Sequence, residues 1–249
     1  MSELVSVITP CFRAGESLLE TIISVQSQSY SNYEHILIDD GTPGGFPDEI
    51  RAMASSDPRI KLIERKWNAG PAVSRNRGIS EAKGRFIAFL DADDLWHPLK
   101  LEKQIEFMLE RGIALSYTSY EVISTAGKVL GTRVPPEEVS YFDILKSNRI
   151  GCLTAIYDTE LVGTVYMPNI LKRQDMGLWL SILKKSKVAQ GIIDMPLARY
   201  RVGKNSLSAK KASVLKYQWR IYREVERLPF LSSVKYFAHY AYRGVTRKI

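Results

Sequence analysis

The sequence predicts an α/β protein: a mixed, mainly parallel sheet flanked by helices, with a helical appendage at its C-terminal end. Short β-branched runs alternate with stretches of helical spacing, the β-α-β-α order of a doubly wound sheet. The apolar runs are brief and stop abruptly in polar clusters, as strands buried on both faces do. With 249 residues, 45% of them hydrophobic, the chain can bury a large core.

Leu4 to Thr9 is a β-branched strand closed by Pro10. Glu16 to Gln28 places Leu18, Ile22 and Val25 on one helical face. His35 to Ile38 is a second strand, stopping at Asp39-Asp40-Gly41, and Pro47 to Ser55 suggests a helix. Ile60 to Glu64 is the third strand. Pro71 suits a first helical turn, and Gly84 suits the stop after a helix through Ala82. Arg85 to Leu90 is the fourth strand, and Leu99 to Glu110 a helix with Leu101, Ile105, Met108 and Leu109 inward. Beyond residue 110 the pattern loosens. Ile113 to Ser124 alternates as a strand, with Lys128 to Arg133 as its pairing partner. Phe142 to Ser147 reads as helix and Leu153 to Asp158 as strand. Asp175 to Lys184 is a helix carrying Leu178, Trp179, Ile182 and Leu183, and Gly191 to Tyr200 a strand.

Charge is unevenly placed. Residues 210–249 hold ten Lys/Arg against two Asp/Glu, which accounts for the net +8, while residues 1–209 hold 25 of each sign. A neutral body argues against a nucleic-acid surface spread over the domain and for one localised anionic partner. No run of about 18 uncharged apolar residues occurs, so no spanning helix is expected. The opening MSELVSVITP enters a strand directly, without the basic start and apolar stretch of a secretory signal. Cys11 and Cys152 make no disulfide framework, which points to a reducing cytosol.

Three strand ends carry distinctive polar residues: Thr9-Pro10-Cys11-Phe12, Asp39-Asp40-Gly41 and Asp91-Ala92-Asp93-Asp94. In a parallel sheet all three lie on the carboxyl edge, where open α/β sheets bind ligands. A nucleotide fits across them, base at the first two and phosphates at the third. Each alone has a plain structural explanation. Asp-Asp-Gly serves as a turn, and Asp-Ala-Asp-Asp can cap a helix, although Pro98-Leu99 is the better helix start. Three carboxylates within four positions repel unless a cation neutralises them, and a divalent cation suits oxygen ligands. Haloacid-dehalogenase-type phosphatases also place Asp-x-Asp after an apolar strand, with the first Asp a nucleophile. Their pattern continues in Thr or Val and opens the domain. Here it lies on the fourth strand and continues Asp94-Leu95-Trp96.

The segments VSVITPCFRA, ILIDDGT and NAGPAVSRNRGISEAKGRFIAFLDADD resemble the family-2 inverting glycosyltransferases of the GT-A fold. The likeness continues through KRQDMGLWLSILKK and LARYRVGKNSLS, so it covers residues 4–208. The spacing N-x-G-x4-RN-x-G-x3-A-x-G, then an apolar run and D-x-D, is long and specific. The look-alikes are bacterial enzymes that build surface polysaccharides.

The resemblance implies a GT-A domain over 1–208, with a nucleotide-binding half (1–110) and an acceptor half with a lid (111–208). It implies a nucleotide-sugar donor, UDP-linked, and Mn2+ or Mg2+ as cofactor. Thr9, Pro10 and Phe12 would line the nucleoside pocket. Asp40 would accept from the uracil imide, Asp39 would support the turn, and Gly70 would approach the base. Asp91 would face the ribose or the metal's water shell, and Asp93 would ligate the metal at the diphosphate. Asp175, in the pair Gln174-Asp175 before an apolar helix, would be the base that takes the acceptor's proton. The family has Glu where Gln174 stands, a departure expected to alter acceptor contacts. Arg201, Lys204 and Ser206, within Arg199 to Ser206, match a mobile lid that would close over the diphosphate. The acceptor would be a saccharide linked to polyprenyl diphosphate. A non-catalytic sugar-nucleotide-binding scaffold is the alternative, and the intact Asp93 and Asp175 speak against it. His35, His97 and His239 are isolated and take no metal role, and Cys11 is small filler.

Residues 209–249 form a basic, aromatic tail. Leu215, Trp219 and Tyr222 share a helical spacing among Lys216, Arg220, Arg223 and Arg227. After Pro229, Tyr236, Phe237, Tyr240 and Tyr242 lie among Lys235, His239 and Arg243. The mixture resembles an interfacial helical hairpin on an anionic membrane surface, which would hold a cytoplasmic enzyme at the inner face of the plasma membrane. A hairpin packed on the catalytic domain, or a homodimer contact, would use the same residues.

Overall fold

The computed structural model describes residues 2–203 and 211–246. Strand β1 (Val5–Cys11), helix α1 (Ser17–Gln26), β2 (Tyr33–Asp39), α2 (Asp48–Ser56), β3 (Ile60–Glu64), α3 (Pro71–Glu81) and β4 (Phe86–Phe89) follow in the expected alternation. These strands lie in the order β3-β2-β1-β4 and all pair in parallel. The chain winds outward from β1 to β3, then returns past β1 to β4. Its direction of winding therefore reverses between β1 and β4, and such a switch point opens a crevice at the carboxyl ends. Register keeps the edge even: Cys11 pairs with Asp39, and Asp39 with Glu64.

The two-residue strand β5 (Leu95–Trp96) leads into α4 (Lys100–Arg111), which Gly112 ends in the left-handed conformation. Then come β6 (Leu115–Ser124), β7 (Val129–Arg133), β8 (Glu138–Ser140), α5 (Tyr141–Lys146), β9 (Ile156–Asp158), α6 (Thr159–Val162), α7 (Gln174–Ser186) and β10 (Val188–Val202). The sheet continues past β4 as β9-β6-β10-β5, with β9 antiparallel to both neighbours and β10 parallel to β6. The strand expected over Leu153 to Asp158 is split. Cys152–Thr154 forms a 3-10 turn, because the Thr154 carbonyl accepts from Lys100 Nζ and Gln104 Nε2 instead of joining a ladder. Leu109, expected inward, is 46% exposed.

Alternation along the strands builds two helical layers. Ile8, Ile87 and Phe89 face α3, α5 and α7, while Val5, Val7, Phe86, Ala88 and Leu90 face α1 and α4. Two glycines of the long motif exist for packing. A Cβ at Gly78 would lie 2.4 Å from Ile8 Cγ2, so its absence lets α3 sit directly on β1. A Cβ at Gly84 would lie 2.7 Å from the Leu4 carbonyl.

The C-terminal segment is a hairpin of α8 (Lys211–Arg220), a π-helical turn at Ile221–Val225, and α9 (Phe230–Thr246). It packs on the domain. Ile221 and Tyr222 are fully buried in the same core cluster as α7, with Tyr236 and Phe237 against it. Trp219 meets the Phe230 and Phe237 rings edge-on. Most tail aromatics therefore face protein rather than outward, since burial of their large apolar area is favourable. Phe230, Leu231 and Val234 stay exposed, Leu231 by 81%. Among the described residues no helix is long and apolar enough to cross a membrane.

Candidate active site

At the end of β1 the expected residues separate. The Thr9 side chain is fully buried, 2.9 Å from His35 Nε2, so it offers no hydroxyl to a nucleoside pocket. His35 is buried too, and burial pushes its imidazole down to about 3. Burial likewise raises the Cys11 thiol, which suits a filler and not a nucleophile. Pro10 is partly exposed, and Phe12 is 44% exposed with the Arg13 guanidinium over its ring.

The next turn is locked. Asp39 accepts from the Thr42 N–H at 2.9 Å, and Thr42 Oγ1 accepts from the Arg13 N–H. Asp40 is buried and well supplied with donors: Arg65 Nη1 at 2.5 Å, the Gly70 N–H at 2.7 Å and the Ala69 N–H. The carboxylate expected to receive a uracil imide thus holds the 65–70 loop in this structure. Gly41, at φ +80°, is necessary here because a Cβ would fall 2.5 Å from the Trp67 backbone. That approach leaves the Trp67 side chain 68% exposed beside the turn. Trp67 has no distinguishing sequence signal beyond its place before the Asn-x-Gly of the long motif.

The third turn is crowded with negative charge. Asp91 forms an ion pair with Arg75 Nη2. Asp94 is buried and accepts the Arg201 backbone N–H at 2.8 Å, and its own carbonyl accepts from Thr21 Oγ1. Burial, then Asp91 and Asp93, raise its carboxyl above the usual range. Asp93 stands at the exposed tip, and partial desolvation together with Asp91 raises its carboxyl as well. Among the described residues no cation pairs with Asp93, and no three His, Cys, Asp or Glu side chains form a metal cage. An open carboxylate beside two further acidic side chains fits a hard cation that takes its remaining oxygens from phosphate and water. With Asp91 already paired, Asp93 is the better placed of the two expected ligands.

Arg75 is the residue that sequence reading missed. It lies on the buried face of α3, where an arginine among Ala72, Ser74, Gly78 and Ile79 is itself the signal. Burial opposes its charge, and the paired Asp91, with a smaller contribution from Asp175, more than restores it. Asp175 is the second residue of α7, and its Oδ2 accepts from Asn148 Nδ2 at 2.8 Å. The loop before α7 is fastened to α3: Asn76 donates to the Met167 carbonyl at 2.9 Å and accepts its N–H at 2.8 Å. Gln174 is buried, and its Oε1 has no hydrogen-bond partner among the described residues.

The segment expected as a lid is described only in part. Arg199 to Val202 belong to β10, with Arg201 in register with Ile123 of β6. The Arg201 guanidinium donates to the Asp93 carbonyl at 2.9 Å, the Thr125 carbonyl at 2.9 Å and Glu20, and so braces the acidic turn. Lys204 and Ser206 lie outside the described residues.

Comparison with known proteins agrees with this architecture. The profile of glycosyl transferase family 2 matches residues 6–157. The glycosyltransferase TuaG of Bacillus subtilis (strain 168), named for teichuronic acid biosynthesis, is 42% identical over 99% of this chain and 98% of its own length. An Escherichia coli protein named UDP-Glc:alpha-D-GlcNAc-diphosphoundecaprenol beta-1,3-glucosyltransferase WfgD is 35% identical over 98% of this chain and 94% of its own. Staphylococcus aureus TarS 1–349 in complex with UDP-GlcNAc superposes with a TM-score of 0.72 at 17% identity, over 97% of this chain and 72% of that one. The chain spans 43% of the longer TarS chain. The mannosyltransferase PcManGT from Pyrobaculum calidifontis, in complex with GDP-Man and Mn2+, has a TM-score of 0.69 at 16% identity, over 98% of this chain and 76% of that one. These solved structures share the fold.

Proposed function

The chain belongs to glycosyl transferase family 2, and from that premise we propose that it moves a sugar, with inversion, from a UDP-linked donor to a lipid-linked saccharide. The observation that carries this reading is the acidic turn at the carboxyl edge of the sheet, with Asp91 paired to the buried Arg75 and Asp93 open at its tip, beside the switch point. Phe12 and the Asp40-clamped loop at Gly70 offer a wall for the nucleobase. Asp91, fixed by Arg75, faces the ribose side. Asp93 would hold Mn2+ or Mg2+, which when bound stabilises the charge that builds on the departing diphosphate. The acceptor hydroxyl attacks the anomeric carbon from the opposite face, and Asp175 removes its proton as the new bond forms. Asn148 keeps the Asp175 carboxylate oriented.

UDP or UDP-GlcNAc bound to TarS, and the donor and acceptor in the name of WfgD, support a UDP-sugar and a diphosphate-lipid acceptor. The exposed face of α9, with Phe230, Leu231 and Val234 beside Lys235, suits an anionic lipid surface that carries such an acceptor. That would place the enzyme peripherally at the cytoplasmic membrane face. Leu231→Glu should reduce co-sedimentation with phosphatidylglycerol vesicles, and unchanged binding would remove α9 from the contact.

The test of the reaction is UDP release from UDP-glucose in Mn2+ with a GlcNAc-diphosphate-lipid acceptor. Asp93→Ala should lower the rate by about a thousand-fold. Asp175→Asn should lower it by roughly a hundred- to ten-thousand-fold while donor binding persists. Full activity in either variant would refute the corresponding role.

A further inference from the structure

We propose that the C-terminal hairpin is part of the transfer site, with Tyr240 and Tyr222 as positioning residues that hold Asp175 from two sides. The inference rests on Asp175 being the base. Arg173 precedes α7 at φ 67°, ψ 14°, a left-handed conformation that a non-glycine residue adopts only when its surroundings impose it. What holds it is on α9. The Arg173 guanidinium lies over the Tyr240 ring, 5.3 Å from its centroid, and Nη2 donates to the Tyr240 hydroxyl. The Arg173 carbonyl accepts the Gly177 N–H at 3.1 Å, so its conformation sets the first turn of α7, where Asp175 sits.

The second hold runs through α5. Tyr222, fully buried, donates to the Leu145 carbonyl at 2.6 Å. Leu145 lies three residues before Asn148, whose amide donates to Asp175 Oδ2. Glu226 completes the frame: it accepts from the Tyr141 hydroxyl of α5 and from Lys184 Nζ of α7, the latter at 2.8 Å. Hairpin, α5 and α7 thus meet in one polar frame around α7, which carries the base, and α5, which leads into the loop holding its partner Asn148. A hairpin that only tethered the enzyme to a surface would need none of these ties. If Tyr240 is removed, Arg173 can relax and tilt the first turn of α7. A displacement of about an ångström at a base costs on the order of a hundred-fold in rate.

Tyr240→Phe keeps the ring and loses the hydrogen bond; Tyr240→Ala loses both. With UDP-glucose, Mn2+ and the GlcNAc-diphosphate-lipid acceptor, kcat should fall several-fold in Tyr240→Phe and about a hundred-fold in Tyr240→Ala, with the KM for UDP-glucose unchanged. Because both residues act through one contact, Arg173→Ala combined with Tyr240→Ala should be no slower than either alone. Normal kcat in both Tyr240 variants, or effects that multiply in the double variant, would overturn the inference. So would equal losses of kcat and donor affinity, which signal general loosening. Asp175→Asn, run in parallel, separates the two claims. If it is inactive while Tyr240→Ala is fully active, only the hairpin inference fails. If it is fully active, the base assignment itself fails.

Discussion

Asp40 and Asp93 follow strands that lie on either side of β1, at the same edge of the sheet, and their surroundings differ in what faces each carboxylate. Asp40 meets the Arg65 guanidinium and the N–H groups of Ala69 and Gly70. Around Asp93, Arg75 pairs with Asp91, Asp94 is buried on one backbone N–H, and no ion pair reaches Asp93 among the described residues. Two acidic turns of similar sequence therefore carry opposite balances. The satisfied carboxylate clamps a loop. The crowded group holds repulsion that a bound cation would relieve. A count of acidic residues alone could not have told the clamp from the crowded turn.

The contrast can be tested by stability. The largest effect is expected from Asp40→Ala, which leaves Arg65 without its buried partner and frees two N–H groups. Unfolding free energy in urea should fall by roughly 3–5 kcal/mol. A loss below about 1 kcal/mol would mean that Asp40 is no clamp. The β1–β2 side also carries the buried His35, neutral beside Thr9. Its imidazole is held near 3, against 6.5 when unexposed to the fold, so the unfolded chain takes up the proton first as pH falls. Stability present above pH 6.5 is then lost toward pH 3, by about 1.4 kcal/mol per pH unit from this group. His35→Gln should flatten that slope, and an unchanged slope would assign the acid sensitivity to other groups. The smallest effect concerns the crowded turn. Asp94→Asn keeps a carbonyl to accept the Arg201 N–H and removes one of the mutually repelling charges. The metal-free protein should gain about 1 kcal/mol, a Tm rise of ~2–4 °C. A fall in Tm would show that the turn is balanced after all.

Much of the frame was legible. The alternation of short apolar runs and helical spacings located β1 to β4 and the helices between them to within a residue or two, because both periodicities are local properties of the chain. Ile60 to Glu64 is the same strand in sequence and structure. β5, β8 and α6 were not legible, being too short for any period to register. The 3-10 turn at Cys152 was hidden because a distant lysine and glutamine claim the Thr154 carbonyl.

The candidate site divides along the same line. Sequence alone placed Asp40, Asp91, Asp93 and Asp175 at strand ends or a helix start, since turn chemistry and abrupt ends of apolar runs are written in neighbouring residues. It also marked Gly78 and Gly84, though not that they serve packing. Only the tertiary structure decided which charges meet. Arg65 went to Asp40, Arg75 to Asp91, and Arg201 to two backbone carbonyls and Glu20. It also turned the tail's aromatics inward, toward α5 and α7. The reason is physical: periodicity is set by residues a few positions apart, whereas neutralising a buried charge depends on groups that only the folded chain brings within reach.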